Sequence, residues 1–167
     1  MCAISLFDNA CILLIYLKVF EPLVKVLRMV DGDGPSMAFL YGEILEAKKQ
    51  IKESLNNAES NYKLIIETID AKMKGRLDSP LHMAAYLLNP YYSYRDRSIF
   101  LEQTIMDGFI ECVEIFYHGD EEAMDQVLNV DFDIFKDKKE TFGKTPARLG
   151  CQKFDLIPGK VVLTSQI

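Results

Sequence analysis

Asp31 and Asp33, separated by Gly32, are the first residues whose types and spacing suggest chemistry, because an Asp-x-Asp pair opens several divalent-cation sites. A calcium loop would need further oxygen ligands at fixed offsets and a closing glutamate, but Pro35, Ser36, Met37 and Ala38 follow. The two acids therefore read as turn and helix-capping residues, with a metal site as the weaker alternative. The same stretch is not a phosphate cradle, because Asp31-Gly32-Asp33-Gly34 lacks the lysine and the serine or threonine that such loops use.

His82 sits between Leu81 and Met83 in an apolar segment, with Asp78 the nearest acid in sequence. It would serve as a general base only beside a nucleophile, and no Ser/His/Asp or Cys/His set of assignable spacing exists. We expect a structural histidine bonded to a backbone carbonyl or to Asp78, and His118 as a helix C-terminal residue. Cys2, Cys11, Cys112 and Cys151 form no C-x-x-C pair, so neither a zinc ribbon nor a two-cysteine, two-histidine finger can be written. They read as free thiols in a reducing compartment. No catalytic, cofactor or metal site is expected.

Lys48, Lys49 and Lys52, with Lys72, Lys74 and Arg76 beyond them, are the local feature able to touch phosphate. Glu46, Glu53 and Glu67 are interleaved with them, so a solvated helix face with i to i+4 pairs is the main reading and a weak DNA-backbone contact the other. The whole chain, with 19 Lys and Arg against 25 Asp and Glu and a net charge of -6, would be repelled by a polyanion.

The elements that must position these residues are helices. Leu13, Tyr16, Leu17, Phe20, Leu23, Val24, Leu27 and Val30 follow steps of three and four, which predicts a buried helix. Pro22 should kink it or start a new helix at Glu21-Pro22. The apolar run from Cys11 to Leu17 is far shorter than the roughly 20 residues of a membrane span, and no basic residue precedes it as in a signal peptide.

After the turn residues 31–35, with Ser36 as N-cap, Met37, Leu40, Tyr41, Ile44, Leu45, Ile51 and Leu55 predict a second helix, broken at Asn56-Asn57. Tyr62, Ile65, Ile66, Ile69 and Met73 predict a third, closed by Gly75. Ser79-Pro80 starts a buried helix that Asn89-Pro90 ends, and Tyr91, Tyr92 and Tyr94 form a connector. Ile105, Phe109, Cys112, Val113 and Phe116 give a further face ending near His118-Gly119. Asp120-Glu121-Glu122 opens the last helix, with Met124, Val127, Leu128, Ile134 and Phe135 as its apolar side. Beyond it, Val161-Val162-Leu163 pairs weakly as a strand or stays disordered.

The stretch from Leu17 to Met37, LKVFEPLVKVLRMVDGDGPSM, closely resembles the middle region of plant hAT-superfamily transposase-like proteins. The likeness continues through Leu40-Tyr41-Gly42-Glu43, Ala47-Lys48, Leu77-Asp78-Ser79-Pro80-Leu81-His82 and Tyr86-Leu87-Leu88-Asn89-Pro90-Tyr91-Tyr92. It extends more loosely to Phe142-Gly143 and Gly150-Cys151, and covers roughly residues 17 to 155. Such transposases have an RNase H-like core whose three acids hold divalent metal for DNA strand cleavage and transfer, interrupted by a large helical insertion. The resemblance implies that this chain corresponds to the insertion. The family's catalytic acids lie upstream of it and downstream in a tryptophan-containing stretch, and none of those motifs is present here, nor is a zinc-binding BED finger.

The resulting expectation is an all-α protein, an irregular array of about six helices with a poorly ordered C-terminal tail. Its divisions are an apolar lead-in (residues 1–12), a helical domain (13–138) and an irregular tail (139–167). The resemblance implies a truncated, non-catalytic fragment, nuclear or cytoplasmic, whose parent region supports the catalytic core and DNA placement. A domesticated protein-interaction module and a weak DNA-binding module are the alternatives. Expected partners are a transposase-like protein or a second copy, with DNA bound only weakly or through the parent, and without membrane, cofactor or small-molecule ligand.

Overall fold

The computed structural model describes residues 2–31, 37–145, 156–157 and 160–161. Its architecture is all-α. Helices α1 (Cys2–Val30) and α2 (Met37–Ser54) are followed by α3 (Glu59–Met73), α4 (Pro80–Leu87) and the single turn α5 (Pro90–Ser93). A 3₁₀ turn over Arg97–Leu101 leads into α6 (Gln103–Phe116). The last α-helical stretch is α7 (Glu121–Asp125), a π-helical turn (Gln126–Asp131) and α8 (Phe132–Lys136) in direct succession, and a 3₁₀ turn over Glu140–Gly143 follows it. Leu156–Ile157 and Lys160–Val161 pair as a minimal antiparallel ladder, so Val161 is paired, opposite Leu156, while Val162 and Leu163 lie outside the described residues.

Helix ends follow local chemistry. α2 stops where Asn56 and Asn57 take φ values of 60° and 54°, a left-handed conformation that asparagine tolerates better than most residues. Gly75 follows α3 at φ 71°, the role its lack of a Cβ suits. Asp120 accepts a hydrogen bond from the Ala123 amide at 3.0 Å and so caps α7. The expected cap Ser36 lies outside the described residues.

One of the two readings of Pro22, and the reading of residues 91–94 as a connector, need correction here. No new helix begins at Pro22: α1 runs through it, with Pro22 buried and its ring replacing the donor that would have reached the Lys18 carbonyl. The tyrosine connector is itself helical, because Asn89 Oδ1 accepts from the Tyr91 amide at 3.0 Å and Pro90 occupies the first helical position, where a missing N–H costs nothing.

The main core is built by α4 on α6 and on α2, and the last helical stretch closes it. Tyr41, Ala84, Tyr86, Leu87, Ile99, Phe100, Ile105, Phe109, Val113, Phe132 and Phe135 are its buried members. Gly108 allows α4 and α6 to approach, since a Cβ there would collide with the Met83 side chain. A smaller cluster of Val26, Ile44, Ala47 and Met73 holds α1 and α3 to the other side of α2. α2 is thus the shared wall between two apolar cores.

Candidate functional site

The basic residues of α2 are largely committed to local structure. Lys48 Nζ donates to Asp70 Oδ1 at 2.6 Å, tying α2 to α3 through a side chain that is only 18% exposed. Lys52 stands 5.6 Å from the centre of the Tyr62 ring, a second α2–α3 link. Lys49 lines a cleft of roughly 390 Å³ together with Glu43, Glu46, Arg95 and Asp96. Two hydrogen bonds from Ser98, and then the Lys49 charge, hold the Asp96 carboxyl below its usual range. The guanidinium of Arg95 lies 4.0 Å from the centre of the Tyr91 ring. The cleft therefore mixes both signs of charge. A phosphate backbone needs a run of one sign, which these three lysines do not supply together.

His82 is buried and its Nδ1 lies 2.6 Å from Ser79 Oγ. The partner of Nδ1 is thus Ser79 rather than the expected Asp78 or a backbone carbonyl, and Asp78 Oδ1 accepts from the Gly75 amide at 2.6 Å. Ser79 occupies the N-cap position of α4 but bonds the ring three residues ahead rather than a backbone amide. His118 is exposed, Cys112 is a half-buried free thiol whose pKa burial raises, and Asp31 is an exposed turn residue. Asp33 lies outside the described residues. Among the described residues, no three His, Cys, Asp or Glu side chains come together in a way that could hold a metal ion.

A second cavity of roughly 480 Å³ opens where the last helical stretch meets α4 to α6, lined by Leu88, Pro90, Phe109, Phe132, Phe135 and Phe142. It is apolar, with Asp131 and Glu140 at its edge. Nothing in it is arranged for bond-making chemistry.

The dominant surface feature is α1. Leu13, Leu17, Phe20 and Leu27 are each more than half exposed, and Leu14, Ile15, Tyr16 and Val24 are exposed with them. The expected burial of this stripe is overturned. α2 takes a different stripe of the same helix, in which Pro22 and Val26 are buried and Val19, Leu23 and Met29 half-buried. From Leu13 to Lys18 every residue is exposed, and Lys18 Nζ donates to the carbonyl of Ser54, the last residue of α2, at 3.0 Å. The signal available beforehand was that α1 is apolar on two faces, as a one-sided surface helix is not.

No family model matches the chain, and neither the curated proteins nor the solved structures contain a match. No helix among the described residues is long and apolar enough to cross a membrane.

Proposed function

We propose that this chain is a non-catalytic helical module of the hAT transposase-like type, nuclear or cytoplasmic, that works by binding protein through α1. The observation that carries the reading is the exposure of Leu13, Leu17, Phe20 and Leu27 on one helix. Monomeric proteins rarely display a contiguous apolar surface of this kind without a partner to cover it. The resemblance of Leu17 to Met37 to the helical insertion supplies the class, in which the parent region packs on an RNase H-like core. The acidic triad of that core is missing from the sequence, so metal-dependent strand chemistry is assigned to neighbouring parts of the parent.

The test is co-purification of the full chain with a separately expressed RNase H-like core of a hAT-type transposase. Retention of the core by the natural chain, and its loss on Leu17→Glu, is the expected result. Retention unchanged by Leu17→Glu would remove α1 from the reading, and magnesium-dependent nicking of DNA by the purified chain would overturn its non-catalytic part. A DNA-binding function is not favoured, because Lys48 and Lys52 are engaged with Asp70 and Tyr62.

A further inference from the structure

The cavity where α8 meets the junction of α4 with α5 is a site of a different kind from α1, none of whose described residues lines it. Phe109, Phe132 and Phe135 are buried and form its inner wall, whereas Leu88 and Phe142, 42% and 40% exposed, stand at its mouth. Four of these rings come as two pairs, Phe109 with Phe132 at 4.8 Å between centroids and Phe135 edge-on to Phe142 at 5.4 Å. At roughly 480 Å³ the space falls within the range of about 300–1,000 Å³ that small-molecule pockets occupy. Its depth is apolar, but its opening is not.

The charged residues at the opening are both carboxylates, Asp131 and Glu140, and each is exposed. Asp131 closes the π-helical turn, whose step of five residues brings the Gln126 side-chain amide to Asp131 Oδ1 at 3.1 Å and steadies the carboxylate there. Glu140 arrives through a turn in which it and Lys138 take φ values of 49° and 55°, a left-handed conformation that residues with a Cβ adopt at a cost. Among the described residues no Lys, Arg or His lines the cavity. The lysines of that turn are engaged elsewhere. Lys138 lies 4.5 Å from the centre of the Tyr94 ring, and the hydrogen bond and charge of Lys139, followed by the charges of Arg97 and Lys136, hold the Asp137 carboxyl below its usual range. The wider surroundings have one sign as well, because the chain between Arg97 and Lys136 holds ten Asp and Glu and no Lys or Arg. The field at the opening therefore draws in cations and repels carboxylates and phosphates.

We propose that this cavity binds a small organic ammonium ion, whose aromatic body enters among the phenylalanines while its charged group stays at the opening beside Asp131 and Glu140. The walls favour an aromatic body, since ring pairs contribute beyond the area they bury. The ammonium stays outside, where it keeps part of its water and meets the carboxylates. A neutral molecule of the same shape would gain nothing from the two acids, and an anion would be set against them.

The experiment is calorimetric titration of the full chain at low salt with three probes that share one body: naphthylmethylammonium, naphthylmethanol and naphthylacetate. We expect saturable one-to-one binding of the ammonium, about tenfold tighter than the alcohol, as two partly screened ion pairs supply, and no measurable binding of the carboxylate. Asp131→Asn combined with Glu140→Gln should bring the ammonium down to the affinity of the alcohol and leave the alcohol's own affinity unchanged. Glu111→Gln combined with Glu114→Gln removes the same charge at exposed positions outside the cavity and should leave the preference for the ammonium in place. Circular dichroism establishes that each variant is folded.

The comparison among probes needs no variant, so it decides the ligand class even where a substitution disturbs the fold. Absence of saturable ammonium binding, equal affinity for all three probes, or tighter binding of the carboxylate overturns the proposal. So does an ammonium preference that survives loss of Asp131 and Glu140, or one lost equally with Glu111 and Glu114, because either result places the charge recognition outside this cavity.

Discussion

The Tyr92 hydroxyl donates to Glu43 Oε1 at 2.8 Å, and the ring that carries it lies directly over Gly42. Two adjacent residues of α2 thus receive one side chain from α5: Gly42 provides the space and Glu43 the acceptor. Phe39, Tyr86 and Tyr91 pack around the same ring with centroid separations of 4.9 to 5.8 Å, so it has little room to withdraw.

Gly42→Ala should therefore destabilise the fold. Alanine is favoured over glycine within a helix by about 1 kcal/mol. Here that gain is outweighed, because the new Cβ would overlap the Cζ end of the Tyr92 ring and overpacking typically costs about 1–3 kcal/mol. Urea unfolding of the two proteins measures the difference, and an increase in stability would show that the ring moves aside freely.

Alkaline pH should unfold the protein earlier than its exposed tyrosines would suggest. Burial, and then the Asp96 charge, pushes the Tyr86 phenol up to about 12, while burial and the Glu43 carboxylate raise Tyr92 well beyond the ordinary phenol range. Burial also raises Tyr41. Each folded-state value lies above the unfolded 10.0, so the native state keeps protons that the unfolded state releases first. This stability is whole below pH 10 and declines as the pH climbs toward 12 and beyond. Urea midpoints followed against pH should decline less steeply in Tyr86→Phe than in the natural chain.

Asp70→Asn should cost about 1 kcal/mol or less, because Lys48 is mostly covered but Asp70 is half exposed and open to solvent screening. The difference should shrink as salt is added. A loss well above that, insensitive to salt, would mean that the pair acts through packing rather than charge.

Leu27 and Ile51 predict opposite responses to alanine. Ile51 is fully buried, and its truncation should cost about 2–5 kcal/mol. Leu27 is 60% exposed, so in a chain diluted to the monomer Leu27→Ala should change folding stability by no more than about 0.5 kcal/mol. Thermal or urea denaturation at low concentration separates the two, and a large loss at Leu27 would place it inside the fold.

Much of the architecture could be read from residues one turn apart. The three-and-four spacing of Met37 to Leu55 and of Tyr62 to Met73, Asn56-Asn57 as a breaker, Gly75 beyond α3 and Asp120 before α7 act through contacts within a turn or two of the chain. Such chemistry is present in the sequence itself. It yields the all-α class and many of the positions at which helices begin and end, though not α5 or the unbroken run of α1 through Pro22.

What local spacing does not contain is the choice between faces. α1 carries two apolar stripes, Val19-Pro22-Val26-Met29 and Leu13-Leu17-Phe20-Val24-Leu27, both at steps of three and four. Only the docking of Val26 against Ile44, Ala47 and Met73 decided which one is covered. Lys48 was similarly undecided: α2 offers it no acid three or four residues away, and the fold brought Asp70 to within 2.6 Å from 22 residues along the chain. His82 pairs with Ser79, three residues back, while Asp78 turns to the Gly75 amide after α3. The sequence determined the helices and their ends, because those depend on neighbours along the chain. The tertiary structure decided which side of each helix remains for a partner, because that depends on which surfaces the other helices have already covered.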